Sequence, residues 1–439
     1  MNKDKSRFFI RTFGCQMNVN DSEKIAGLLA AEGHEPVTDV ASADFVFINT
    51  CAVREKAASK LYHALSRLKK AKAERPDLRI GVGGCVAQLE GEQILKKAPQ
   101  VDVLVGTHTL DRVPALMCAA DGKKPLVDLD RRADAFTVPD IAVAHGNPVR
   151  AYVTAMEGCN HVCSFCVVPR TRGPEVNRAP SAIVREVSGL VERGYAEVML
   201  LGQTVNAYRY RDLDFADLLG LVNAVPGLRR LRFTTSHPEH VSVRLADALR
   251  DLDKVCPHLH LPVQSGSDRV LHSMRRGYGR RHYLETAALL RDRVPDLALT
   301  SDVIVGYPGE TDEDFQETLS LVEHVGFDGL FVFTYSPRPG TGAQRLADDV
   351  PDAEKSRRLD VLNAYQQRLQ RARNESRIGS REEVLVDAVE EGGRVGGRTP
   401  HFRIVHFEGG RQLLGRTVEA EIIGAGANSL VGRLPQAIH

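Results

Sequence analysis

The chain has 439 residues, with 58 Lys and Arg against 57 Asp and Glu, a formal net charge of +1 and 43% hydrophobic residues. That length suits two or three domains, and the composition is that of an ordinary soluble globular protein. No apolar run approaches the roughly 18 residues of a membrane span, and near-neutrality leaves nucleic-acid binding to be argued from local charge.

From about residue 6 to 122, strands and helices alternate. Residues 8–13 are predicted as a strand and 21–31 as a helix with Ile25, Leu28 and Leu29 on one face. A buried strand follows at 45–48 and a charged amphipathic helix at 54–74. The series continues with a strand at 78–82, a helix at 88–97 and a strand at 101–105. Such alternation specifies an α/β domain, a doubly wound parallel sheet with helices on both faces.

Cys15 follows the first of these strands, Cys51 the second and Cys85 the third. All three therefore belong at the carboxyl ends of parallel strands, the edge where open α/β sheets bind ligands. Gly14, Gly83 and Gly84 beside them let the backbone close on a bulky group. Any one of these thiols alone could be a buried packing residue; three in the same topological slot point to a metal centre. Cys118 and Cys256 stand alone in apolar surroundings and are expected to be packing residues.

Residues 119–148 break the pattern with paired Arg, Asp, Gly and scattered Pro, and mark a boundary. A second alternating series occupies about 145–375. Its strands are predicted at 150–154, 197–201, 231–234, 258–261, 298–305 and 329–333, with helices at 181–193, 214–224, 242–251, 281–293 and 311–325. Six repeats specify a partial (β/α)6 barrel.

Directly after the first of these strands comes Cys159-Asn-His-Val-Cys163-Ser-Phe-Cys166. Three thiols in eight residues can hold one inorganic object, and this loop lies at the mouth where barrel enzymes place their chemistry. Structural zinc takes four ligands, as does an iron–sulfur cubane held entirely by protein. His161 could complete a zinc site, but it sits between two of the cysteines. The other reading is a four-iron cluster with one iron open to a ligand. A disulfide is disfavoured, because the chain has no signal peptide or paired Cys pattern and reads as cytoplasmic.

The tips of the other barrel strands are polar and rich in Gly: Gly202-Gln-Thr-Val-Asn206, Ser236-His-Pro238, Pro262-Val-Gln-Ser-Gly266 and Gly306-Tyr-Pro-Gly-Glu310. Converging on one mouth, they describe a pocket for a small polar cofactor.

Two basic runs stand out. Residues 269–293 carry seven Arg against two acids, and 355–377 seven Lys and Arg against two acids. Each could be a solvated helix face, but beside a proposed site phosphate contact fits better. Beyond residue 376 the apolar period changes to two, specifying a small antiparallel β-barrel of about five strands over 376–438.

The Cys-x3-Cys-x2-Cys loop resembles the cluster motif of radical S-adenosylmethionine (SAM) enzymes. In that family the open iron chelates SAM, and an electron from the cluster cleaves it to a 5′-deoxyadenosyl radical. Thr12-Phe-Gly-Cys-Gln-Met-Asn18, Asn49-Thr-Cys-Ala-Val-Arg-Glu-Lys56 and Gly83-Gly-Cys-Val-Ala-Gln88 resemble the N-terminal domain of the methylthiotransferases, where the matching cysteines hold an auxiliary cluster. Leu200-Leu-Gly-Gln-Thr-Val-Asn-Ala-Tyr208, Thr235-Ser-His-Pro238, Leu261-Pro-Val-Gln-Ser-Gly-Ser267 and Tyr335-Ser-Pro-Arg-Pro-Gly-Thr341 are similar to the branch that acts on N6-dimethylallyladenosine in tRNA. The chain departs from the family's usual Tyr at Arg170 and its common Ser at Asn177. The C-terminal segment, with its Gly397-Arg-Thr399 turn, resembles the TRAM module, an OB-like RNA-binding barrel.

The resemblance implies two [4Fe-4S] clusters, one on Cys159, Cys163 and Cys166 and one on Cys15, Cys51 and Cys85. It implies SAM as radical source and methyl donor, with Gly202 and Gln203 near its amino group, Ser236 and Gln264 lining its pocket, and Ile304, Gly306 and Glu310 packing against adenine. The implied reaction adds a methylthio group to C2 of N6-dimethylallyl(isopentenyl)adenosine next to the anticodon. The implied partners are a tRNA anticodon stem-loop, an external electron donor and a sulfur source, with no membrane and a monomeric chain. The RNA grip is expected beside the radical site. Other readings are methylthiolation of a ribosomal protein aspartate or of threonylcarbamoyl adenosine, or a non-catalytic metal-containing RNA-binding protein.

Overall fold

The computed structural model describes residues 5–53, 55–132, 143 and 145–435. Arg54, the expected start of the second helix, most of the 133–144 stretch of the expected linker and the last residues of the expected C-terminal module lie outside them. The chain forms two compact units. The first is 1–146 with 156–161 and 166–178; the second is 147–155, 162–165 and 179–439.

In the first unit the strands are β1 (Arg7–Phe13), β2 (Glu35–Pro36), β3 (Phe45–Thr50), β4 (Arg79–Gly83), β5 (Val103–Val105) and β6 (Leu126–Asp128). They pair in the order β2-β1-β3-β4-β5-β6, all parallel. Strand β3 is buried along its whole length, as a strand covered on both faces must be. Leu61, Leu65 and Leu68 of the helix Glu55–Glu74 pack in one core with Val46 and Ile48, and Ile25 and Leu29 pack in another with Phe45 and Phe47. The sheet runs past residue 122, because Leu126–Asp128 joins its edge. The expected 88–97 helix is two short helices, Cys85–Glu90 and Gln93–Lys97, parted at Gly91, whose φ is +57°.

In the second unit, six parallel strands form two three-stranded sheets, one of Arg150–Thr154, Glu197–Leu201 and Arg230–Phe233, the other of His258–His260, Ala298–Val305 and Gly329–Thr334. A Leu231–Val255 bridge and the Ser236 N–H bond to His260 O join them. Among the described residues no pairing links the first strand to the last, so the barrel stays open. The C-terminal segment is a closed five-stranded barrel around Val384, Val386, Val395, Val405, Phe407, Ala420, Ile422 and Leu430.

This small barrel is fixed to the end where the parallel strands begin. Arg230 bonds Glu383 at 2.7 Å, and Arg232 bonds Thr399 O and Pro400 O at 2.8 Å each. His258 stacks on Phe402 with centroids 4.9 Å apart, and Arg403 pairs with Asp328 at 3.1 Å. The sequence reading set the RNA grip beside the radical site; the structure attaches that module to the opposite end of the strands. Local pattern cannot reveal which end of a barrel a following domain covers. No described helix is long and apolar enough to cross a membrane.

Candidate iron–sulfur and SAM sites

The strand order places Cys15 and Cys51 on either side of the point where the chain reverses direction across the sheet, between β1 and β3, which is the ligand crevice of such folds. Cys15 caps the helix Gln16–Ala31 with extended backbone, φ −91°. Asn18 donates from its amide to Asn49 Oδ1 at 3.2 Å, and the Asn49 amide donates back to Asn18 O at 2.9 Å. This pair ties the Cys15 turn to the Cys51 turn. The Cys85 turn closes on the same hub: a Cβ on Gly84 (φ +88°) would lie 2.1 Å from Asn49 Oδ1, and one on Gly14 would lie 2.8 Å from Cys51 Cβ.

The three thiols therefore share one small volume, and none is in a disulfide. The Cys15 thiol is lowered to about 6, first because Cys51 bonds it, then because the Asn18 N–H and the Arg172 charge face it, against the opposing effect of burial. Cys51 is pushed up by the same bond with Cys15. Burial pushes Cys85 up, opposed by Arg172. Thiolates sharing a site repel one another, and a cation or metal resolves that repulsion.

The second cysteine loop is anchored at several points. In the first unit, Cys159 N–H bonds Gly173 O at 3.2 Å, and Asn160 and Glu175 exchange bonds. Gly158 has φ +79°, and a Cβ there would strike Pro174 O. Cys166 Sγ accepts from Val168 N–H at 3.5 Å. In the second unit, Ser164 bonds Tyr307 and Ser273 O, each at 2.8 Å. Cys163 Sγ accepts from Arg276 Nη1 at 3.3 Å.

The expected SAM-pocket residues occupy the carboxyl ends of the barrel strands. Gln203 Oε1 and Ser236 Oγ are buried without a hydrogen-bond partner, as atoms reserved for a ligand would be. Gly202 N–H bonds Thr234 Oγ1 at 3.2 Å. Gln264 has φ +76°, the left-handed region where a non-glycine residue is strained, and it is held by bonds to Asp302 O and from Ile304 N–H. Ile304 packs with Tyr307 and Tyr335. Glu310 Oε2 is occupied by Gly306 N–H and by Arg358 Nη1 at 2.8 Å, while its Oε1 is buried and unpartnered. Glu310 thus braces the fifth strand tip against the helix Asp352–Glu375.

The chain matches the uncharacterized protein family UPF0004 over residues 7–106 and the radical SAM superfamily over 153–322. The tRNA-2-methylthio-N6-dimethylallyladenosine synthase of Pelobacter propionicus is 46% identical over 437 residues, 97% of this chain and 98% of that one. The enzyme of the same name from Chromobacterium violaceum is 47% identical over 437 residues, with the same shares covered. The chain belongs to the tRNA-2-methylthio-N6-dimethylallyladenosine synthase family. Among solved structures, the radical SAM methyltransferase TsrM from Kitasatospora setae shares the fold at TM-score 0.56 and 13% identity, over 77% of this chain and 75% of that one.

In this member of the synthase family several side chains of the basic runs are tied to neighbouring loops, while Arg275, Arg281, Arg357, Arg368 and Arg371 stay exposed. Arg269 pairs with Asp314, Arg280 bonds Gly266 O, Arg291 bonds Gly326 O and Arg293 pairs with Asp247. Lys355 pairs with Asp348, Arg358 with Glu310 and Arg373 with Asp328. These side chains bind carboxylates and carbonyls of neighbouring loops, so part of each run serves the fold itself. Cys256 is buried as expected. Cys118 is exposed, on the outer side of the helix Val113–Ala119, with its sulfur 3.8 Å from His34 Nε2.

Sequence reasoning missed two buried arginines. Arg172 pairs with Asp21, lies 3.8 Å from Glu157 and faces Cys85. Arg276 faces Cys163. The signal was present in each case as an Arg close to a cysteine motif or inside a basic run, but only the fold shows which Arg points inward.

Proposed function

We propose that the protein adds a methylthio group to C2 of N6-dimethylallyladenosine beside the anticodon of tRNA. The observation that carries this reading is the presence of two separate three-thiol sets in a chain of this family. One lies at the ligand edge of a doubly wound sheet, the other directly after the first strand of a half-barrel. We assign one [4Fe-4S] cluster to Cys15, Cys51 and Cys85 and another to Cys159, Cys163 and Cys166. When bound, the second cluster supplies the electron that cleaves SAM, a radical task beyond any side chain.

The chain's own residues bind and orient. Asn18, Asn49 and the glycines beside them bring three sulfurs together. Arg172 sets a positive charge against thiolates that repel one another. Gln203 and Ser236 offer unpaired polar atoms to the polar end of SAM. Gln264 is held in a strained backbone state that fixes the strand-four tip, and Ile304 gives an apolar surface suited to adenine. The anticodon stem-loop is the proposed RNA partner, its adenosine presented unstacked.

Two measurements test this. Anaerobic reconstitution should give about eight irons per chain, as two cubanes require; zinc alone would overturn the reading. tRNA from a strain lacking the gene should lose the methylthio group while ribosomal proteins keep their mass. The reverse pattern would shift the substrate to a ribosomal protein.

A further inference from the structure

The Arg276 side chain is buried, with 6% of the residue exposed. Its guanidinium is held on three sides. Nε bonds the Tyr278 hydroxyl at 3.0 Å, Nη2 bonds Pro262 O at 3.2 Å and Nη1 bonds Cys163 Sγ at 3.3 Å. Tyr278 is itself locked, since its hydroxyl bonds Val263 O at 2.9 Å. Among the described residues no carboxylate pairs with this guanidinium. The other buried arginines near the proposed sites are compensated: Arg172 by Asp21 and Arg358 by Glu310.

A buried cation without a carboxylate is costly unless another anion faces it. The anion on offer is the sulfur of Cys163, and the planar fork leaves one N–H aimed at it. Thiolate is the form in which Cys binds metal. Hydrogen bonds to cluster sulfurs and nearby charge are the protein's means of setting a cluster's potential. A positive charge beside the sulfur favours the form carrying one more electron.

We propose that Arg276 is a positioning residue for the cluster on the Cys159–Cys166 loop, orienting the Cys163 sulfur and making that cluster easier to reduce. The proposal rests on the assignment of a cluster to this loop. Nothing in it requires Arg276 to touch SAM or RNA.

The test uses the full-length protein, reconstituted anaerobically with iron and sulfide. The electron paramagnetic resonance signal that changes on adding SAM identifies the relevant cluster, and its reduced-to-oxidised ratio is followed against solution potential. In Arg276→Gln the ratio at fixed potential should fall at least tenfold, about 59 mV for one electron. In Arg276→Lys, which keeps the charge, it should stay within about threefold of the parent, less than half the corresponding energy. A Gln variant with the parent's ratio overturns the proposal, as does a Lys variant that falls as far as Gln. If the Gln variant fails to hold the cluster, iron analysis decides: retention in Lys supports the charge role, and loss in both overturns it. A parent with no SAM-responsive signal removes the cluster assignment itself, and Arg276 falls with it; that result is distinct from a change confined to the variants.

Discussion

Arg172 and Asp21, 151 residues apart in sequence, form an ion pair in which each side chain is only 2% exposed. The pair fastens the segment after the second cysteine loop onto the helix that starts beside Cys15. Glu157 adds a second buried carboxylate 3.8 Å from the same guanidinium.

Removing one member of that pair should therefore cost far more than a surface ion pair. Arg172→Gln is expected to destabilise the metal-free protein by about 3–5 kcal/mol, because it strands a buried carboxylate. Anaerobic urea unfolding measures this. The Asp21→Asn/Arg172→Gln double variant should lose clearly less than the sum of the two singles. Additive losses would show that the residues do not act as a pair.

Gly84→Ala should damage one metal site and spare the other. Its new Cβ would collide with Asn49 Oδ1 and approach Thr50 O, where the three cysteine turns meet, and its φ of +88° is disfavoured for alanine. Reconstituted protein should lose about four irons per chain while still binding SAM. Unchanged iron content would contradict the convergence of those turns.

The unpartnered atoms of Gln203 and Ser236 give a separable effect on cofactor affinity. Ser236→Ala removes no hydrogen bond within the protein, so the unfolding midpoint should hold. It should weaken SAM binding about tenfold, near 1.4 kcal/mol, the order of one hydrogen bond. Equilibrium dialysis alongside thermal unfolding checks both halves, and a stability loss with unchanged SAM affinity would refute it.

His401 supplies a pH dependence. Burial, then the Arg403 and Arg377 charges, lower its pKa from 6.5 to about 4. The folded value lies below the unfolded one, so the unfolded chain binds more protons between these values. The contribution to stability is complete above about pH 6.5 and is lost as pH falls toward 4. His401→Asn should flatten this part of the stability profile, and the His401 ring resonance should remain that of neutral imidazole at pH 5.

Where the cysteines fall relative to the strands could be read directly from the chain. Cys15, Cys51 and Cys85 look unrelated until each is seen to follow a strand; parallel topology then brings them to one edge. Cys159, Cys163 and Cys166 fall within eight residues, so their spacing alone suggests a shared site. Glu310 was harder, because nothing in a strand-tip sequence shows that one of its oxygens meets an arginine 48 residues later. Arg172 and Arg276 were harder still. Their significance lies in which neighbours surround them after folding, and charge runs average that away. The Leu126–Asp128 strand escaped because three residues at a sheet edge leave too short a pattern to stand out from a loop.

The anchoring of the C-terminal barrel beneath the strand starts has a consequence for what can be bound at once. The parallel strands of this unit, three to eight residues long, span about 10 to 26 Å, and the proposed cofactor residues stand at their far ends. An RNA that set its adenosine at those ends and also touched the small barrel would have to span at least the length of the strands, so that length would act as a ruler for such a substrate.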